Sequence, residues 1–86
     1  MLGQNFPVDE YYRSHIQDAV TIARSGTWWS AALLIEDPNN GKPFIALYKW
    51  QQKGGEWKKS TSYKINSKKD LHAVADALEN WASKLT

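Results

Sequence analysis

The sequence predicts an α+β domain: a helix, then an antiparallel meander of three or more strands, then a long C-terminal helix packed on the sheet. Three observations carry that expectation. Apolar residues recur at helical spacing near both ends of the chain. Between them lie three segments rich in β-branched and aromatic residues. Short runs of turn chemistry, DPNNGK and KGGE, separate those segments and favour tight hairpins over crossovers.

Taken in order, residues 1–8 read as a flexible arm. A first helix is predicted from Asp9 to Ser25. Asp9 and Glu10 suit its N-terminus, Gly26 suits the left-handed position after its end, and Tyr12, Ile16, Ala19, Val20 and Ala23 form its apolar stripe. Thr27 to Glu36, TWWSAALLIE, is apolar enough for a strand buried on much of both faces. Pro43 to Gln52 and Trp57 to Ile65 are a second and a third strand, the third being the most polar. Asn66 or Ser67 caps the final helix, with Asp70 close to a capping-box position. Leu71, Val74, Ala75, Leu78, Trp81, Ala82 and Leu85 fall on one face of it. All 86 residues form one domain without repeats or linkers.

A chain of 86 residues has a small core. Five tryptophans are many for it, so some are expected at a binding surface or an interface. With no cysteine, disulfides and thiolate metal sites are excluded. The start, MLGQNFPVDEYY, lacks the basic and apolar regions of a signal peptide, and no apolar run approaches the roughly 20 residues that cross a bilayer. The expectation is a soluble, cytoplasmic protein, with association to a nucleoid left open.

Catalytic chemistry is not suggested. His15 and His72 lack HxxxH spacing or surrounding acids, so no metal and no cofactor is expected. Nucleophile elbows, Walker loops and GxGxxG turns are absent from the sequence, and Gly54-Gly55 reads as a hairpin turn. The protein is read as a non-enzyme.

The charge distribution is more informative. Eight lysines and one acid, Glu56, lie between Lys42 and Lys69, a net charge of +7 in a chain whose total is +2. Phe44, Tyr48, Trp50, Trp57 and Tyr63 are interleaved with them. Lysine attracts phosphates and an aromatic ring is a platform for an unpaired base, so these are the ingredients of a surface for single-stranded nucleic acid. Lys49, Lys53, Lys58, Lys59 and Lys64 are the expected phosphate contacts. Trp50, Trp57, Tyr48 and Tyr63 are the expected stacking rings. Alternation puts Phe44, Ala46, Tyr48 and Trp50 on one face of the second strand, with Ile45, Leu47, Lys49 and Gln51 on the other. In the third strand, Lys58, Ser60, Ser62 and Lys64 form a solvent-facing row. Which face of the second strand meets solvent is open at this point, because either assignment buries apolar groups. Trp50 and Trp57 flank the Lys53–Glu56 turn, where they read equally as a structural pair or as a clamp for a base.

The run IALYKWQQKGGEWKKSTSYKIN followed by SKKDLHAVADALENW resembles the positive cofactor four (transcriptional coactivator) and Whirly-type superfamily, and the archaeal ThermoDBP-like single-stranded-DNA-binding proteins. The matching positions are Lys49, Trp50, Gly55, Glu56, Trp57, Lys58 and Lys59. The resemblance covers about half the chain. It implies a curved antiparallel sheet that grips single-stranded DNA and a dimer built through the C-terminal helix. The predicted N-terminal helix departs from the minimal coactivator module.

The function expected is sequence-tolerant binding of single-stranded DNA, with RNA open as well, by a homodimer that uses Val74, Leu78, Trp81 and Leu85 as its interface. Two alternatives stand beside it. The predicted order α-β-β-β-α is also that of double-stranded-RNA-binding domains, although the Gly-rich approach to their last helix is missing. A protein-interaction module with a Trp-rich interface is the other.

Overall fold

The structure, a computed structural model, describes residues 6–85. Four antiparallel strands pair in chain order: β1 (Ile16–Ser25), β2 (Trp28–Glu36), β3 (Pro43–Lys53) and β4 (Glu56–Ile65). A one-turn helix α1 (Glu10–Arg13) precedes the sheet. Helix α2 (Lys68–Trp81) follows it and ends in a 3-10 turn, Ala82–Lys84. The α+β meander and the C-terminal helix are therefore present.

Turn chemistry sets the hairpins. Gly54 and Gly55 both have positive φ, 58° and 83°, as a two-residue type I′ turn requires, and this turn matches the twist of β3 and β4. Gly26, at φ 57°, opens the two-residue turn between β1 and β2. Asp37 and Asn40 shape the β2–β3 loop by accepting from the backbone N–H groups of Asn39 and Lys42, at 2.9 and 2.8 Å.

The segment from Asp9 to Ser25 is not one helix. Only Glu10–Arg13 is helical, and residues 16–25 form β1. Two bulges explain the misleading spacing. Registers 16↔35 and 18↔34 leave Gln17 extra, and registers 21↔31 and 23↔30 leave Ile22 extra. The residues that share the buried face of the sheet are thus Ile16, Ala19, Thr21 and Arg24, at steps of three, two and three. A bulged edge strand imitates a helical period in this way.

Each strand pair keeps its partners on one face. The inner face carries Trp29, Ala31, Leu33 and Ile35 from β2, opposite Trp50, Tyr48, Ala46 and Phe44 from β3, and all eight are buried. The long helix α2 does not cover this face. Phe6, Val8 and Tyr12 pack against it instead. The expected arm is therefore partly structural: Val8 is buried and Phe6 is half-buried, while residues 1–5 lie outside the described residues.

The outer face divides into two halves. Toward α2 it is apolar, with the cross-strand rows Val20–Ala32–Leu47–Tyr63 and Asp18–Leu34–Ile45–Ile65. Toward the glycine hairpins it is polar, with the rows Ala23–Ser30–Lys49–Thr61 and Ser25–Trp28–Gln51–Lys58.

Ser67 caps α2, its hydroxyl accepting from the Asp70 N–H at 3.2 Å. The predicted helix is present, but it does not lie along its own sheet. None of its residues is buried. Leu71, in the first turn, borders a groove with Leu34, Ile45 and Ile65. Val74 is half-buried, and beyond it the stripe runs into solvent: Leu78 and Trp81 are each 59% exposed, and Leu85, which lies past the 3-10 turn, is more so. The sheet's deepest apolar face is already occupied by residues 6–12, and α2 departs from the far edge strand.

Candidate nucleic-acid interface

Three of the eight clustered lysines, Lys58, Lys59 and Lys64, lie on β4, an edge strand. Only one of its residues, Ile65, is buried. Lysine on an edge discourages pairing with other chains, so part of this charge has a structural use. Its distribution over the faces is not the simple alternation read from the sequence. Lys49 pairs with Thr61 but Trp50 pairs with Lys59, which leaves Ser60 as a bulge. The bulge splits the expected row: Lys58 stays on the outer face, while Ser62 and Lys64 join Trp57 and Lys59 on the inner face.

The expected site residues therefore fall into two groups. Lys49, Lys58 and Tyr63 are exposed on the outer face. Tyr48, Trp50, Trp57, Lys59 and Lys64 belong to the inner face, and Lys53 ends β3 beside the turn. Trp50 is fully buried and cannot meet a base in this arrangement. Its ring lies parallel to that of Tyr48 at 5.3 Å and tilted against Trp29 at 5.1 Å. Trp50 and Trp57 do not face each other across the hairpin, because Trp57 stands opposite Gln52 and meets the ring of Trp29 edge-on at 5.6 Å. Strands two apart are separated by about 9.5 Å, so that contact shows the two indoles leaning together over β3.

The inner-face lysine nearest to the core is engaged. Lys64 Nζ donates to the Tyr12 hydroxyl at 3.2 Å and lies 5.0 Å from the Phe44 ring centroid. The bond to Tyr12 holds the Lys64 pKa above its ordinary value, against the opposing effect of burial. Burial pushes the Tyr48 phenol up, with Lys64 opposing and Asp9 and Tyr12 adding to the rise.

Two functional candidates escape the sequence reading. Trp28 is 39% exposed on the polar half of the outer face, with Lys49 Nζ 4.8 Å from its ring centroid. It lines an open groove of about 270 Å³ with Ala23, Ser25, Ser30 and Lys49. Enclosed small-molecule pockets run from roughly 300 to 1,000 Å³, so this hollow suits a flat group laid against it. The signal was available: in the pair Trp28-Trp29, alternation sends one ring in and the other out. Arg24, which lies 4.1 Å over Trp29 and 5.3 Å over Trp57, was hidden by the helix assignment of its segment.

Among the described residues no group of three or more His, Cys, Asp or Glu side chains could hold a metal ion, and no helix is long and apolar enough to cross a membrane. Comparison of the chain with protein-family models, with curated proteins and with solved structures gives no match.

Proposed function

We propose that the protein binds single-stranded nucleic acid without sequence preference, using the β4 edge and the polar half of the outer face. The observation that carries this reading is the solvent-open surface built by Ser25–Trp28–Gln51–Lys58 and the neighbouring row Ala23–Ser30–Lys49–Thr61, with Tyr63 in the next row. An exposed indole and phenol offer two stacking platforms. Lys49 and Lys58 stand beside them, Lys53 is at the hairpin, and Lys59 lines the other side of the edge. Ammonium groups along a strand edge follow a phosphate backbone, and unpaired rings accept any base through its π-face. A meander followed by one C-terminal helix also suits the curved sheet implied by the coactivator and Whirly resemblance. The duplex-RNA alternative loses its main support, since the order α-β-β-β-α on which it rested gives way to four strands.

The partner proposed for α2 is a second copy of this chain. Leu78 and Trp81 of the helix and Leu85 just past its final turn are exposed, with Val74 half-buried beside them, and the same chain presents an apolar patch at Val20, Ala32 and Leu47. A two-fold axis would let each copy supply a helix to the other.

Titration of the tryptophan fluorescence with single-stranded DNA, single-stranded RNA and duplexes tests the function. Single strands should quench, and duplexes should have little effect. A Trp28→Phe chain should lose much of the quenching. Silence toward all ligands, or a response to duplexes alone, refutes the proposal.

A further inference from the structure

The inner face holds a second aromatic site that the proposed surface does not use, and the chain's own N-terminal segment occupies it. Phe6 stacks on Trp29 at 5.2 Å with 28° between the rings, and lies 6.1 Å from Trp50. Trp57 meets Trp29 edge-on, and the Arg24 guanidinium lies over both Trp29 and Trp57. Trp50 contributes an unusual feature: its indole N–H is buried and has no hydrogen-bond partner among the described residues. Such a donor is costly to leave unmade.

We infer that this cradle is a nucleobase site masked by a displaceable strap, residues 6–13, in which Phe6 stands where a base of the single strand would stack. The inference rests on the proposed single-strand binding. A base in place of Phe6 keeps the ring-on-indole contact and adds carbonyl and ring-nitrogen acceptors, which Phe6 lacks, for the unpartnered Trp50 N–H. The strap shares no ladder hydrogen bond with the sheet, whose pairing begins at Ile16, and its departure uncovers Val8, buried in the core, and parts the Tyr12 ring from Phe44. The Val8 N–H bonds within the segment, to the Phe6 carbonyl at 2.9 Å, and Arg13 Nη2 reaches back to the Val8 carbonyl at 3.1 Å. Its side-chain ties outward are Tyr11 to Asn39 at 2.9 Å and Lys64 to Tyr12 at 3.2 Å. A phosphate attracts the Lys64 ammonium more strongly than a neutral phenol does, so a bound strand weakens one tie directly. The strand thus favours the open state over the closed one, and only such a differential shifts a population.

Two measurements on the full chain test this. First, Phe6→Ala should bind oligo-dT at least about threefold more tightly than the wild type, because a larger fraction of molecules has the cradle open. Second, oligo-dT should reduce the hydrogen-exchange protection of the Val8, Tyr12 and Arg13 amides in the wild-type chain. A four-residue helix released from the sheet does not persist in water, so α1 should open with the strap. Unchanged or weaker affinity in a folded Phe6→Ala chain overturns the inference, as does unchanged or increased protection in the wild type. Should Phe6→Ala not fold, the exchange measurement decides alone. A wild type that binds no single strand defeats the parent proposal. A wild type that binds while Phe6→Ala gains nothing defeats only the strap.

Discussion

Trp50 and Trp28 are both part of short aromatic runs, yet the sheet assigns them opposite work. Trp50 has no exposed surface and contacts Tyr48, Trp29 and Phe6. Truncating such a ring costs about 3–5 kcal/mol, a large part of the roughly 5–15 kcal/mol that holds a domain together. Trp50→Ala should therefore lose most of its cooperative thermal transition. Trp28→Ala should melt near the wild-type temperature and bind single strands more weakly by about 1–3 kcal/mol, the usual worth of one stacked base. Normal binding by Trp28→Ala would remove the outer-face platform. The alternation of β3 was legible from the sequence, although which face is buried was not, since both faces carry apolar groups, and β2, expected to be buried on much of both faces, has one buried face and one half-buried face. The Ser60 bulge was not legible either, because nothing in KKSTSYK marks where an extra residue enters. Tyr48 gives a pH prediction. Its pKa is raised by burial, so the neutral phenol is favoured in the folded state. That contribution is complete below the ordinary phenol value near 10 and is lost as pH rises through the elevated folded value. Lys64, also raised, acts in the same direction at alkaline pH. Thermal melts between about pH 9 and about pH 11 should fall steeply for the wild type and less steeply for Tyr48→Phe. Equal slopes would show that the phenol does not titrate with unfolding.

At the scale of elements, the β2–β3 and β3–β4 hairpins and the last helix were readable because each has a local cause. Gly54 and Gly55 adopt the positive φ that their turn requires, and Ser67 caps α2 as its sequence position suggests. β1 was not readable: its two bulges displace the inward residues to steps that resemble a helix, and only pairing with β2 decides the matter. The expected packing of α2 on its own sheet also failed, for a reason outside the helix. Val8 and Phe6, assigned to a free arm, cover the inner face, and α2 touches the apolar half of the outer face only at its first turn, where Leu71 borders Leu34, Ile45 and Ile65. The consequence for α2 is measurable. With little support from its own sheet, the helix depends on its cap and on whatever meets its stripe. Ser67→Ala removes the cap at a cost of about 1 kcal/mol. It should reduce the far-ultraviolet helical signal while leaving the melting of the sheet, followed by tryptophan fluorescence, nearly unchanged. A parallel drop in both signals would mean that α2 and the sheet unfold as one unit.

At the scale of the whole molecule, the two halves of the outer face would divide charge from oiliness. The hairpin half meets nucleic acid in the proposed reading, and about four or five lysine–phosphate contacts there should give log K against log salt a slope near −3 for a single strand. A slope close to zero would remove phosphate pairing as the source of affinity. The helix half poses a different question, because α2 is 14 residues long. Isolated helices of about 12–15 residues are marginal in water. A stripe of Leu78, Trp81 and Leu85 held in solvent supplies none of the packing that normally stabilises such a helix. A helix of this length with this stripe calls for a covering surface, and in the proposed dimer the apolar patch at Val20, Ala32 and Leu47 of the second copy would provide one. Sedimentation equilibrium at micromolar concentration should return twice the 9.8 kDa chain mass. Trp81→Asp should return the monomer mass and also lose helical signal, since the charge would disrupt the interface and leave α2 unsupported. A wild-type chain that sediments at 9.8 kDa would rule out the dimer. A dimer that survives Trp81→Asp with its helical signal intact would place the interface elsewhere, and the edge strands β1 and β4 would then be the next surfaces to test.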